Sequence, residues 1–449
     1  MTWVTDDNVA LLTDLYELTM AASYHAHGMN DQATFDLFVR QLPQQRKFLI
    51  SCGIEQALDY LDHLHFNNDA ISYLRSLGMF EEGFLRYLAG LEFTGEVRAV
   101  PEGEAVFDGE PILSVTAPLI EAQIVETFLL NCIMFETMIA SKAARVNIAA
   151  RGRRFVDFSL RRDQGADAGL RAARASFIGG AAASSNVLAG KVFGIPVNGT
   201  MAHSYVMAFE DEVKAFRCFL RDFPKDAVLL IDTFDVEEGA RSAAQVANEL
   251  ASEGVTLSGV RIDSGDLATL TFSVRKILDE SGLGKVQIVL SGDLDEHRIE
   301  TLIEEGVPVD AFGVGTQMGT SGDAPSLGGA YKLVEDVHGP KIKLSTGKAT
   351  LPGRKQVYRV SGGRGYAHDV IALEDEASPG GLPLLQQVMA GGRRCGEREQ
   401  LAAVQRRCSN TLASLPEGLR SLDSSAEVYP VRHSPKLEGL IRRMQSEAG

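Results

Sequence analysis

The sequence predicts an α/β protein whose later part is a parallel sheet, closed as a barrel or wound on both faces. Three observations predict it. Six short apolar runs follow one another at residues 155–160, 195–198, 227–231, 257–262, 286–290 and 311–314. Most are followed by a stretch of helical periodicity, clearest at 236–250, as repeated strand–helix units require. Polar residues gather just after the runs, at the strand ends where such sheets bind ligands.

Before this rhythm starts, the pattern is less regular. Residues 11–24 have helical periodicity, with Thr13 or Asp14 placed to begin the helix. Residues 34–39 alternate as a strand and deliver Arg40 to its end. Residues 54–64 and 70–77 read as helices, and 92–115 as short strands broken by Gly and Pro. A long helical pattern at 123–140 reads as a buried connecting helix. This gives an N-terminal α+β domain over 1–140, a barrel over 141–360, and a loop-rich segment over 361–449 that packs on both.

Composition narrows the function. A 449-residue chain with 45% hydrophobic and 23% charged residues has the makings of a globular core. A net charge of −16 argues against binding nucleic acid, which needs clustered Lys and Arg. Five scattered cysteines show no metal-ligand spacing, so neither a disulfide framework nor a zinc site is expected. The start lacks the features of a signal peptide, and no apolar run approaches spanning length. These features predict a cytoplasmic protein with no membrane partner.

The strand ends carry the chemistry. Arg161 and Arg162 follow the first run, Gly199-Thr200 and His203-Ser204 the second, and Asp232 with Asp235 the third. Asp263-Ser264-Gly265-Asp266 follows the fourth, Ser291-Gly292-Asp293 the fifth, and Gly313-Val314-Gly315-Thr316 closes the sixth. Gly-rich turns offer backbone N–H groups to phosphate, and the aspartates suit ribose hydroxyls or magnesium. A helix N-cap is the ordinary role of any one such Asp. A basic stretch (Lys332, Lys341, Lys343, Lys348, Arg354, Lys355) adds cations in an acidic chain. The combination predicts an enzyme acting on a phosphorylated sugar.

The segments LLTDLYELTM (11–20), DFSLRRDQGADAG (157–169), SSNVLAGKVFGIPVNGTMAHS (184–204), VRIDSGDL (260–267), FGVGTQ (312–317), AYKLVE (330–335) and LPGRKQVYR (351–359) carry a resemblance. They are similar to those of nicotinate phosphoribosyltransferases, nearly end to end. The resemblance implies an irregular α/β barrel of the type II phosphoribosyltransferase kind with an N-terminal α+β domain, usually a homodimer with shared active sites. It implies transfer of phosphoribose from 5-phosphoribosyl 1-pyrophosphate to nicotinate, coupled to ATP hydrolysis, in NAD biosynthesis. Magnesium arrives with the substrate. A nicotinamide-specific relative shares the fold and chemistry, and a non-catalytic nucleotide sensor could keep the fold.

Roles follow by motif position. Phe158 resembles the aromatic stacked on the pyridine, and Tyr16 the aromatic that a neighbouring subunit lays on its other face. Arg161 resembles the arginine beside the nicotinate carboxylate, and Arg40 a phosphate contact lent by the neighbour. Arg261, Asp263 and Asp293 resemble the ribose and phosphate holders; Gly313, Gly315 and Thr316 resemble the 5′-phosphate cradle. Lys348 and Lys355 fall near pyrophosphate-binding positions. His203, followed by Ser204 in the same substrate-binding motif, resembles the histidine that ATP phosphorylates; Asp232 or another carboxylate is expected to orient it. Asn186 stands where the nicotinamide enzyme carries an Asp, which implies preference for the acid.

Overall fold

In the computed structural model, which describes residues 4–345, 350–363, 365–423 and 427–448, five of the six apolar runs pair, together with Ala183–Ser184, as one six-stranded parallel sheet. Its order is Ala183–Ser184, Arg154–Asp157, Ala311–Val314, Gln287–Leu290, Leu257–Ile262 and Ala227–Leu230. The last strand in sequence therefore lies against the first, with Phe312 opposite Phe155. A doubly wound sheet never makes that pairing; a barrel does. The sheet is open at a single seam, between Ala183–Ser184 and Ala227–Leu230. The run at 195–198, expected as a full strand, makes only one bridge there, Ser184 to Val197.

Ala227–Leu230, Leu257–Ile262 and Gln287–Leu290 turn into their helices through capped starts. Asp235 accepts from Glu238 N at 3.0 Å to cap Val236–Leu250. Asp266 and Asp295 cap Leu267–Glu280 and Glu296–Glu304 in the same way. One face of the sheet carries side chains such as Phe155, Phe312, Ile288 and Val260, all fully buried; each large one contributes about 2–3 kcal/mol by leaving water.

The chain divides into two compact units. Lys142–Asp323 holds the parallel sheet; Met1–Ser141 and Ala324–Gly449 form the other. The sheet unit thus ends well before residue 360, because the next strand, Gly329–Asp336, pairs with Gln32–Val39 instead. Gln32–Val39 is central in a seven-stranded sheet and buried at seven of its eight positions. The C-terminal segment is not loop-rich, as its sequence suggested. It holds the Lys355–Gly362 and Gly365–Leu373 hairpin and two 14-residue helices, Leu401–Ser414 and Pro435–Ala448.

One buried acid of this unit yields a pH prediction. Glu17, on the Leu15–Ala26 helix, is fully buried and accepts from Gln123 Nε2 at 2.6 Å. Burial raises its pKa from 4.5 to about 7. The folded state then holds a proton that the unfolded chain has already lost, so stability falls as pH rises from about 4.5 to about 7 and levels above it. Glu17→Gln is expected to remove that fall, gaining on the order of 1–3 kcal/mol at pH 8 and little at pH 4.5. Denaturant unfolding at the two pH values measures it, and an equal effect at both would contradict it.

Candidate active site

The aspartates after the strands come in pairs, and the two members do different jobs. Asp235, Asp266 and Asp295 are the caps described above. Asp232, Asp263 and Asp293 come earlier, at the strand ends themselves. Asp232 Oδ2 accepts from Asp263 N at 3.0 Å and from Ser264 Oγ at 2.7 Å. Its Oδ1 is buried with no hydrogen-bond partner. Asp263 Oδ1 accepts a short hydrogen bond from Ser291 Oγ. Gly292 makes this approach possible: at φ +90° a Cβ would sit 1.9 Å from Asp263 O. Asp293 follows at φ 47°, an unusual conformation for a residue other than glycine. Three strands thus deliver an interlocked set of acceptors to one end of the sheet.

Beside them lies an aromatic and a cation. Arg261, the penultimate residue of Leu257–Ile262, donates from Nη1 to Thr200 Oγ1 at 2.7 Å. Its Cζ lies 5.8 Å from the centre of the Phe158 ring, within range of a cation–π contact. Its Nε is buried with no partner. Burial lowers its pKa, opposed by Asp263 and Asp232, but a guanidinium starts high enough to stay charged. The Phe158 ring rests against Gly313, where a Cβ would come within 2.4 Å of it. Gly313 is therefore needed by the aromatic, whatever it offers a phosphate. Gly315 and Thr316 follow at the end of the same strand. Arg161, in the short Leu160–Arg162 turn beyond Phe158, is exposed.

Asp157 escaped the sequence reading because it sits inside an apolar run. It is 1% exposed and accepts from Ser159 N, Ser159 Oγ and Ser184 Oγ at 2.9, 2.6 and 2.7 Å. Ser184 Oγ also accepts from Asn186 N at 3.0 Å. Asp157 therefore ties the Phe158 loop to the next strand. Burial raises its pKa, and nearby Asp163 is raised to about 6 by burial and by the Asp157 charge.

Asn186 is committed within the fold. Its Oδ1 caps Val187–Phe193 through Ala189 N at 3.1 Å, and its Nδ2 donates to Gly169 O at 3.2 Å. Asn186→Asp would keep the cap and set a carboxylate oxygen against the Gly169 carbonyl. A loss of about 1–3 kcal/mol in stability is expected, with Asn186→Ser, which also caps, as the comparison in thermal unfolding. A change in pyridine preference at full stability would favour the specificity role instead.

His203 begins a short helix, His203–Met207, past the seam. Its Nδ1 lies 3.3 Å from Thr233 Oγ1. Asp232, expected to orient it, bonds Asp263 and Ser264 instead. Ser204, next to it, is exposed.

The remaining candidates belong to the other unit. Tyr16 is 47% exposed on the Leu15–Ala26 helix. Arg40 and Lys355 line a cavity of about 350 Å³ together with Asp36 and His433. Lys355 is buried and spent internally: its ammonium donates to Leu351 O at 2.8 Å and to Gly353 O, and lies 2.9 Å from Asp36 Oδ2. Three others of the basic stretch pair with acids, Lys332 with Glu126, Lys341 with Asp336 and Arg354 with Glu374. Lys348 lies outside the described residues.

Comparison with known proteins identifies the lineage. Residues 11–134 match the family model of the nicotinate phosphoribosyltransferase N-terminal domain, and residues 153–334 match that of the nicotinate phosphoribosyltransferase family. The chain belongs to the nicotinate phosphoribosyltransferase family. A nicotinate phosphoribosyltransferase from Mycobacterium tuberculosis, pncB2, is 44% identical over 437 residues, covering 97% of this chain and 94% of that protein. One from Bacillus subtilis is 43% identical over 381 residues, covering 83% and 77%. The crystal structure of human nicotinic acid phosphoribosyltransferase matches with a TM-score of 0.84 at 30% identity, covering 96% and 99% of the two chains. Nicotinate phosphoribosyltransferase membership accounts for the barrel end just described and for the separate N-terminal domain. Among the described residues, no helix is long and apolar enough to cross a membrane.

Proposed function

We propose that the chain joins nicotinate to 5-phosphoribosyl 1-pyrophosphate, releasing nicotinate mononucleotide and pyrophosphate for NAD biosynthesis, with ATP hydrolysis coupled to the transfer. The observation that carries this reading is the convergence of Phe158, Arg261, Asp263 and the Gly313–Thr316 turn at one end of the sheet, in a chain of this family. The pyridine nitrogen brings its own lone pair, so no general base is needed. A C–N bond forms at the ribose anomeric carbon while the C–O bond to pyrophosphate breaks, and the electron pair leaves with pyrophosphate. The chain's task is positioning and charge stabilisation. Phe158 stacks on the pyridine, Asp263 holds ribose hydroxyls, Arg261 meets phosphate, and Gly313, Gly315 and Thr316 receive the 5′-phosphate. Asp263 and Asp293 are hard oxygen donors, which suit a magnesium carried by the pyrophosphate; the ion would neutralise the leaving group's charge.

His203 is the proposed phosphoryl acceptor from ATP. Thr233, at Nδ1, leaves Nε2 as the attacking nitrogen. Tyr16 and Arg40 are assigned to the active site of a second subunit, which makes the working enzyme a homodimer. The test mixes pure protein, phosphoribosyl pyrophosphate and magnesium with nicotinate or nicotinamide, with and without ATP, and identifies the mononucleotide. Nicotinate mononucleotide is the expected product; product from nicotinamide alone, or none, would overturn the reading. His203→Ala is expected to keep weak ATP-independent synthesis while losing ATP stimulation and acid-labile label from γ-labelled ATP. Label that persists in the variant would refute the assignment.

A further inference from the structure

The loop that carries Phe158 and Arg161 is held by a hydroxyl placed between two acids. Ser159 Oγ lies 2.6 Å from Asp157 Oδ1 and 3.2 Å from Asp163 Oδ2. A serine hydroxyl has one proton to donate, and the shorter contact takes it. Asp157 is complete as a carboxylate: its Oδ1 also accepts from Ser159 N at 2.9 Å and its Oδ2 from Ser184 Oγ at 2.7 Å. Asp163 has no such donors. Its Oδ1 is buried with no hydrogen-bond partner, and its Oδ2 faces a lone pair of Ser159. That contact is a hydrogen bond only when Asp163 carries a proton and donates it to Ser159 Oγ.

The surroundings press the same way. Gly319 closes over the pair: a Cβ there would sit 2.1 Å from Asp163 Oδ1 and 2.3 Å from Ser159 Cβ. An anion whose oxygen is closed off in this way loses its hydration and gains nothing in return. The charged groups on the elements packed around Asp163 are few. Asp157 ends Arg154–Asp157, Arg161 and Arg162 lie on Leu160–Arg162, and Asp167, Arg171 and Arg174 lie on Ala166–Ile178. Arg171 pairs with Asp167 at 2.8 Å, and Thr316–Gly319 carries no charge. Burial first, and then the Asp157 charge, raise the Asp163 pKa from 3.8 to about 6, against the contact with Ser159. A proton donated by Ser159 would oppose the rise, but that proton is spent on Asp157.

We propose that Asp163 is a positioning residue for the pyridine site: protonated, it latches the 158–162 loop through Ser159 and tightens the hold on nicotinate, and its ionisation releases the loop. This rests on the proposed reaction, in which Phe158 stacks on the pyridine and Arg161 meets the carboxylate. Once Asp163 is ionised, its carboxylate faces the Ser159 lone pair and the 3.2 Å contact opens. The new charge, just past the turn that holds Arg161, also competes for the cation that nicotinate needs. Affinity for nicotinate therefore falls as pH rises through about 6, while the bond-making step, which Asp163 does not touch, is unchanged. By linkage, bound nicotinate in turn favours the protonated acid.

The experiment uses the full chain and reads the loop first, without substrate. Amide exchange of the 155–165 segment is followed by mass spectrometry in wild type and Asp163→Asn, at about pH 5.5 and about pH 7.5, on either side of the Asp163 transition. Asparagine keeps a donor for Ser159 Oγ at every pH. Equal exchange in the two proteins is expected at the lower pH. At the higher pH, exchange in wild type should be roughly three- to tenfold faster, as the loss of one hydrogen bond allows. Comparing the proteins at one pH cancels the intrinsic pH dependence of exchange. Asp163→Ala, with no donor, should exchange fast at both pH values. Nicotinate KM should follow the same pattern, rising by a similar factor in wild type but not in Asp163→Asn, with kcat equal in the two. Substrate phosphates and Glu17 titrate in this range too, but they do so in both proteins. Exchange that is the same in wild type and Asp163→Asn at both pH values would overturn the proposal, and so would a rise in KM shared by both. Latching in proteins that form no mononucleotide would support the latch and overturn the reaction on which its use rests.

Discussion

Arg261→Ala is expected to lower kcat/KM about 10³-fold, with most of the loss in kcat. The guanidinium does three things that alanine cannot. It bonds Thr200 Oγ1, it lies over the Phe158 ring, and it keeps Nε buried with no protein partner. On the proposed reaction, an anionic substrate would satisfy this buried donor, and the attraction would grow as the leaving pyrophosphate gathers charge. The variant also removes a positive charge that acts on Asp232 and Asp263. Arg261→Lys keeps the charge but not the planar fork, so it should recover only roughly tenfold of the loss. Steady-state rates with both substrates varied measure this. A loss under about tenfold for alanine would remove Arg261 from the proposed charge-stabilising role.

Particular residues explain which features were legible in the sequence. The Leu257–Ile262 strand, its Asp263 turn and the helix from Leu267 were readable because apolar period, Gly turn and Asp cap coincide within a dozen residues. The Val236–Leu250 helix was readable to the residue for the same reason. Ala183–Ser184 was not, because two small residues carry no periodicity. The run at 195–198 has strand composition but lies at the seam, where a single bridge is all the pairing available. Asp157 was overlooked, and the contact that Ser291 makes was not foreseen, because each acts on another side chain, Ser159 or Asp263, and no linear motif encodes that contact. The pairing of the basic stretch was not legible for an electrostatic reason. Lys332, Arg354 and Lys355 face acids contributed by other segments, which only the fold brings together.

A mixture of Tyr16→Ala and Phe158→Ala subunits, each nearly inactive alone, is expected to recover roughly a quarter of wild-type activity after exchange, as half of the dimers in a symmetric pair are then mixed and each has one intact site. The two side chains are suited to such a test. Tyr16 is a large aromatic left 47% exposed on the Leu15–Ala26 helix, where its packing within its own unit is incomplete. Its phenol is pushed above its ordinary pKa, first by burial and then by Glu17 and Glu126, so it stays neutral at physiological pH and keeps an uncharged ring to stack. Phe158 offers the opposite face: its ring rests on Gly313 and against Arg261, which holds its plane fixed. A pyridine between two aromatic faces gains on the order of 1 kcal/mol from each beyond the area it buries. Loss of either should therefore act mainly through KM for nicotinate, so the mixtures are assayed at nicotinate far below KM, where each variant alone is nearly inactive. In the mixed dimer, the site built from both mutated faces is dead and the other is whole. The control is a mixture of Phe158→Ala with Arg261→Ala. Both substitutions lie in the sheet unit of one chain, so no exchange can restore an intact site. Recovery in the first mixture and none in the second, in subunits shown to exchange by a mass tag, is the expected result. Equal recovery in both, or none in either, would place Tyr16 outside the partner's site and leave the aromatic sandwich to another residue.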